Sequence, residues 1–328
     1  MRLLLILPVL VVSVALATAS CRDSSTSADD ADAGGDAGPS YGQSPEDGAA
    51  DTAAQDAPEP PPPDAAIVGA GNDHCAKATV IPLTAPRAEL HADTTAATHD
   101  TSAGCAADSG PDVFYEITLS KHALVYADTF GASWNTVLFL LGPSCEPITT
   151  STMKDDALCS DDACGTSQSQ VVALLAPGKY HLGLGGSGGA TGAATIHFEL
   201  ALAPSGTETP LPSGTSEQSG TTTGQGGNVD NQSAGCIAAG PENGYWWMTC
   251  PSDPGGKLHA STCGGATWET LLVTEVPRAR AYACSLDSCD LQTEISSTVP
   301  PGAGLHVLMV DGQSANASGP YTMQVTRP

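Results

Sequence analysis

The side chains best suited to recognition are Tyr245, Trp246 and Trp247, three consecutive aromatics in a 328-residue chain that is only 5% aromatic. On a β-strand, neighbouring residues point to opposite faces, so Trp246 and Trp247 cannot share an environment. One exposed there would form a flat platform for a sugar ring or a peptide. The competing reading packs both into a core or against a second domain. Carboxylates are the other chemically capable group. Asp161 and Asp162 sit between Cys159 and Cys164, with Asp155, Asp156, Asp112, Asp128 and Asn135 elsewhere in the same half of the chain. Oxygen ligands gathered by loops suit Ca²⁺, although no contiguous EF-hand-like loop is present. Calcium at Asp161 and Asp162 is therefore the candidate metal, and no other cofactor is expected. His91 and His99 around Asp93 and Asp100 are read as strand and loop residues.

Catalytic patterns fail on context. Gly185-Gly186-Ser187-Gly188-Gly189 spells G-x-S-x-G, but a nucleophile elbow requires a helix after the turn. Here Thr195–Leu200 reads as a strand, so the glycines are a loop. No metalloprotease, phosphate-loop or dinucleotide motif occurs. No catalytic residue is expected.

These residues are positioned by a repeat. SAGC at 102–105 recurs at 233–236, GPD at 110–112 as GPE at 240–242, GASWNTVL at 131–138 as GATWETLL at 265–272, and CSDDAC at 159–164 as CSLDSC at 284–289. Order is kept throughout. Within each copy the period is two: Val113, Tyr115, Ile117 and Leu119 share a face, as strand residues do. Thr136–Leu141 reads as a central apolar strand, and Lys179–Leu184 with Ala194–Leu202 as a hairpin. In the second copy, Tyr245–Thr249, Leu258–Thr262, Thr270–Val276, Leu305–Val310 and Tyr321–Thr326 read as strands. No helical stripe is sustained. The fold class expected is all-β, two tandem β-sandwich or jelly-roll domains. Trp134 and Trp268 occupy matching positions and are assigned a shared structural role. Domain one spans 65–202 and domain two spans 231–328. Residues 203–230, rich in Ser, Thr and Gly, read as a flexible linker.

Asn72-Asp73-His74-Cys75-Ala76, GPDVFYEITL, DTFGASWNTVLFLL, CSDDACG and PGKYHLGL occur in order in the first copy. Together they resemble the pre-peptidase C-terminal (PPC) type of β-sandwich domain of exported bacterial proteins. The resemblance covers residues 67–202 and is divergent over 231–328, where the Asn72–Cys75 opening has no counterpart. It implies a non-catalytic accessory or surface module and names no ligand.

The chain has eleven cysteines. Apart from Cys21 they number ten, an even set that reads as disulfides in an exported protein. The repeat suggests short loops closed by Cys159–Cys164 and Cys284–Cys289, a cross-strand Cys250–Cys263 bridge, and Cys75–Cys105. Cys145 and Cys236 are left, a bridge between domains by elimination. Cys145–Cys159 is the competing pattern.

The address is N-terminal. Arg2 precedes an apolar run, Leu3–Ala19, ending at Ala19-Ser20-Cys21. That is a secretory signal, and its small residues before a cysteine resemble a bacterial lipoprotein processing site. Residues 1–21 are thus the signal segment with Cys21 as the lipidated residue, palmitate included. The expected location is the outer membrane or cell surface; cleavage after Ala19 into a free secreted protein is the alternative. Residues 22–64 hold eleven acids, one base and no Val, Ile, Leu, Met, Phe or Trp. Such a segment buries too little to offset its ordering entropy and reads as a disordered tether, about 35–40 Å across as a coil.

With a net charge of −25 and no basic cluster, nucleic acid is excluded as a partner. The partners expected are the membrane, through the lipid anchor, and an extracellular glycan, a surface protein or another envelope component bound by the sandwiches. The alternative is a structural spacer without specific ligand; a hydrolase accessory subunit ranks third.

Overall fold

The structure, a computed structural model, describes residues 65–101, 105, 110–148, 158–227, 239–279 and 281–328. The signal, Cys21 and the tether lie outside the described residues, as does Cys236. The described chain is all-β, with only short 3-10 turns between strands.

In the first half the strands are β1 (Ala66–Val68), β2 (Thr79–Val80), β3 (Arg87–Asp93), β4 (Val113–Leu119), β5 (Ala123–Asp128), β6 (Thr136–Leu141), β7 (Cys159–Asp161), β8 (Gln170–Leu175), β9 (Gly178–Gly186) and β10 (Ala193–Leu202). They form two sheets, β1-β3-β10-β5-β8 and β2-β4-β9-β6-β7. In the second half they are β11 (Thr209–Pro210), β12 (Gly214–Thr221), β13 (Asn243–Thr249), β14 (Gly256–Ser261), β15 (Thr270–Val276), β16 (Ala281–Leu286), β17 (Glu294–Val299), β18 (Gly304–Gly312) and β19 (Pro320–Arg327). Their sheets run β11-β13-β18-β15-β16 and β12-β19-β14-β17. The two orders superpose strand for strand apart from β1. Even the parallel pair of a two-residue strand, β2 on β4 and β11 on β13, is repeated.

This corrects the linker. β12 lies inside residues 203–230 and pairs with β19 over eight positions, Gly214↔Arg327 to Thr221↔Pro320. It takes the place of β3. The same clamp closes both strands: Thr94 N–H donates to Gly192 O and Gly192 N–H to Thr94 Oγ1, while Thr222 and Gly319 do likewise. The strand was invisible to hydrophobic periodicity because its inward residues are Ser216, Gln218 and Gly220, and they are only half-buried. A strand paired along one edge to a strong neighbour does not need an apolar face of its own.

The expected hairpin is also corrected. β9 pairs with β4 and β6, whereas β10 pairs with β3 and β5. The glycine segment therefore crosses between sheets. Gly188 and Gly189 have φ of 61° and 76° there, a region that glycine enters without steric cost.

Alternation explains three cores. In β5, Ala123, Val125 and Ala127 face the interior of the first sandwich, and Leu124 and Tyr126 face outward. In β13, Tyr245 and Trp247 enter the second core while Trp246 and Met248 turn outward. β18 divides similarly: Leu308 and Val310 face inward, Leu305, Val307 and Met309 outward. The outward residues of the two sandwiches meet in one apolar cluster. The molecule is thus a stack of sheets in which β5, β15 and β18 are covered on both faces, hence their nearly continuous apolar runs.

The matching tryptophans do share a role. Trp134 Nε1 donates to Ala193 O and Trp268 Nε1 to Pro320 O, both at 3.0 Å. Each indole lies where a Cβ on Gly192 or Gly319 would come within 2.7 Å or 2.6 Å of its ring.

Candidate functional site

The aromatic triplet does not form an open platform. Tyr245 and Trp247 are 3% and 4% exposed. The Tyr245 hydroxyl shares a 2.8 Å hydrogen bond with that of Tyr321. Trp247 stacks on His306 with ring centroids 5.0 Å apart, and the Arg327 guanidinium lies 5.4 Å from its centroid. Trp246 is half-buried in the cluster between sandwiches. Of the two readings of the triplet, the structure takes the packed one: Trp247 lies in the core of its own sandwich, and the other sandwich covers Trp246.

The calcium candidates are only partly brought together. Ser187 Oγ donates to Asp161 Oδ2 at 3.0 Å, and Asp161 Oδ1 and Asn135 Oδ1 are buried without a hydrogen-bond partner. Asp162 is exposed, with φ of 61°. Asp112 and Asp128 are committed elsewhere. Asp112 accepts the Asp100 and Thr101 amides, at 3.2 and 3.0 Å, and burial pushes its carboxyl up to about 6. Asp155 and Asp156 lie outside the described residues. Among the described residues, the sulfurs of Cys75 and Cys145 and a ring nitrogen of His181 lie within 4.8 Å of one another, but the two sulfurs are joined and offer no thiolate to a metal.

The cysteines pair differently from expectation: Cys75–Cys145, Cys105–Cys159, Cys164–Cys250 and Cys263–Cys289. Cys284 is also disulfide-bonded. Cys159–Cys164 does not form because Cys159 is on β7, packed in a small outer cluster with Phe114 and Phe139, while Cys164 lies in the following turn and reaches the other sandwich. Cys250–Cys263 fails because β13 and β14 belong to different sheets. A bridge between domains exists, but it is Cys164–Cys250 rather than Cys145–Cys236.

That bridge marks one end of the densest polar arrangement in the described molecule. Arg278 follows β15 and reaches into the first sandwich. Its Nη2 lies 2.5 Å from Asp128 Oδ2, its Nε 2.7 Å from Glu199 Oε1, and its Nη1 donates to Ala303 O at 2.6 Å. Asp128 also meets His197 Nδ1 at 2.8 Å and accepts the Tyr126 hydroxyl at 2.8 Å. Glu199 accepts the Leu305 amide at 3.1 Å. Gln170 Nε2 joins Tyr126 Oη to Thr249 O, and Arg87 donates to Arg278 O. Burial works to raise Asp128, but His197 and Arg278 outweigh it and hold the carboxyl below its ordinary range. Glu199 lies above its ordinary range because burial outweighs Arg278 there.

Beside this network is a cavity of about 270 Å³. It is lined by Leu83, Thr84, Ala85, Pro86, Leu200 and Leu202 from the first sandwich and by Glu275 and Tyr282 from the second. Glu275 is 5% exposed. The Tyr282 hydroxyl donates to its Oε1 at 3.0 Å, and burial raises the carboxyl to about 7. An apolar pocket between domains with one buried acid has the chemistry of a binding site. Sequence reasoning passed over Glu275, Glu199 and Arg278. The available signal was a single carboxylate inside an otherwise apolar strand, in TLLVTEV and IHFELAL.

No family model matches the chain, and no curated protein matches it. Among solved structures, a protein from Eubacterium rectale assigned as secreted covers 74% of this chain and 74% of its own, at 10% identity and a TM-score of 0.23. The CUB1-EGF-CUB2 region of human MASP-1/3 covers 74% of this chain and 100% of its own, at 7% identity and a TM-score of 0.20. The same region of rat MASP-1 covers 75% and 99%, at 8% identity and 0.19.

Proposed function

We propose that this chain is a non-catalytic, exported protein, anchored through lipidated Cys21, whose paired sandwiches act as one rigid structural unit in contact with another envelope component. The observation that carries the reading is the junction. A disulfide, an arginine held by two buried carboxylates, and an apolar cluster all join the two sandwiches. Such a joint resists hinge motion, since truncating one partner of a buried ion pair leaves an uncompensated charge. The burial of Tyr245 and Trp247 moves weight away from an aromatic glycan platform. The −25 charge and the acidic composition of residues 22–64 suit a solvated tether.

The test uses the oxidised protein on insoluble cell-wall glycans, polysaccharides and envelope extracts. The structural reading expects no glycan retention and recovery of a specific envelope component. Saturable glycan retention would replace it with the glycan-binding alternative. Anchoring is tested separately: palmitate is expected on the wild type and not on Cys21→Ser, which should leave the membrane fraction. An unlabelled wild type would make it a free secreted protein.

A further inference from the structure

Glu275 stands apart from the other buried acids of the junction. Asp128 and Glu199 share Arg278, whereas Glu275, three residues before that arginine, receives its hydrogen bond from the Tyr282 hydroxyl. Glu275 is among the residues lining a cavity whose other walls are mostly Leu, Ala and Pro side chains. An ionised carboxylate in an apolar wall is costly unless paired. A neutral guest can exchange only a hydrogen bond with the carboxyl, and an anion gains no pairing there and approaches a chain of charge −25. A guest with a positive head and an apolar body satisfies both parts of the wall together. At about 270 Å³ the cavity falls near the lower end of ligand sites, which limits that guest to a single ring or a short chain.

We propose that the cavity between the sandwiches binds a small apolar organic cation, an alkyl- or arylammonium, whose ammonium pairs with Glu275 while its hydrocarbon lies on Leu83, Pro86, Leu200 and Leu202. The nearby cation does not occupy this place, because the Arg278 guanidinium is spent on Asp128, Glu199 and Ala303. The site goes beyond the structural role proposed above and does not depend on it.

The experiment titrates the folded, oxidised full-length protein with phenethylammonium, and with neutral 2-phenylethanol and anionic phenylacetate as matched probes. Calorimetry and backbone amide shifts are read at physiological ionic strength. Saturable binding of phenethylammonium at one site is expected, with shifts concentrated at Leu83, Leu200, Leu202, Glu275 and Tyr282. A charge-assisted hydrogen bond accounts for roughly a tenfold to hundredfold preference. The neutral probe, and the cation on Glu275→Gln, should therefore bind weaker by that factor. Leu83→Trp, which fills the cavity from its lining, should abolish binding and leaves the question answerable if Glu275→Gln fails to fold. Absence of saturable binding, equal binding to Glu275→Gln, or shifts scattered over the acidic surface would each overturn the proposal.

Discussion

Arg278 is the residue on which the junction turns. It is one of only eleven Lys and Arg in the chain, and it neutralises two carboxylates that are otherwise buried, Asp128 and Glu199. Arg278→Ala leaves Glu199 without a cation and Asp128 with only His197 and Tyr126, and is expected to cost about 3–5 kcal/mol in denaturant unfolding. Restoring neutrality with Asp128→Asn and Glu199→Gln in the same chain should recover much of that loss; no recovery would mean the arginine acts through packing alone. Glu275 gives the opposite sign. Its carboxyl keeps a proton in the folded state to about pH 7, while the unfolded chain releases it near the ordinary value of about 4.3. The folded state therefore loses stability as pH rises between those values. Glu275→Gln removes the titration, so its melting temperature should exceed the wild type's at about pH 8 by more than at about pH 5. A constant offset across pH would show that Glu275 is not titrating in that window.

At the scale of elements, β12 is the sharpest case. As a linker, residues 214–221 would exchange their amides freely; as an edge strand with eight register partners on β19, it should retain protected amides on alternate residues in hydrogen exchange. Uniform fast exchange over 214–221 would return the segment to a linker. The Trp134–Gly192 and Trp268–Gly319 contacts make a paired prediction. In either sandwich a methyl on the glycine meets an indole at under 3 Å. Gly192→Ala and Gly319→Ala should therefore each destabilise, by about 1–3 kcal/mol as overpacking does. The two effects should be similar, since the surrounding hydrogen bonds repeat.

Across the whole molecule, three kinds of fastening are combined at the junction, and their separability is testable. The double variant Cys164→Ser, Cys250→Ser should lose roughly 2–5 kcal/mol yet keep the wild-type scattering radius, because the apolar cluster and Arg278 remain. An expanded, two-body profile would assign the rigidity to the disulfide. The pH response of the entire fold follows from opposed groups. Burial raises Asp112 to about 6, Glu275 to about 7 and Asp311 to about 8, so stability falls as pH climbs past the unfolded carboxylate range. Burial lowers His306 to about 4, so the unfolded chain gains its proton first, and stability also falls as pH drops below about 6.5. Three carboxyls outweigh one imidazole in this window, so the summed contribution of these four groups is expected to fall as pH rises from about 5 to about 8, read as a falling melting temperature.

The amino-acid sequence by itself determined the all-β class, the duplicated order of motifs, the inward face of β4, the long apolar strands and the common role of Trp134 and Trp268. These follow from alternation and repetition, which are local and survive without knowledge of neighbours. Only the tertiary structure decided which cysteines meet, where Trp246 and Trp247 point, that Gly214–Thr221 is a strand, and that Glu275 lines a cavity. Each depends on which surface is brought opposite. A polar edge strand takes its order from β19 across the sheet, a cysteine takes the partner that the sheet order places near it, and an outward aromatic is covered or bare according to the second sandwich. None of these has a period along the chain, because all are set by contacts between residues distant in sequence.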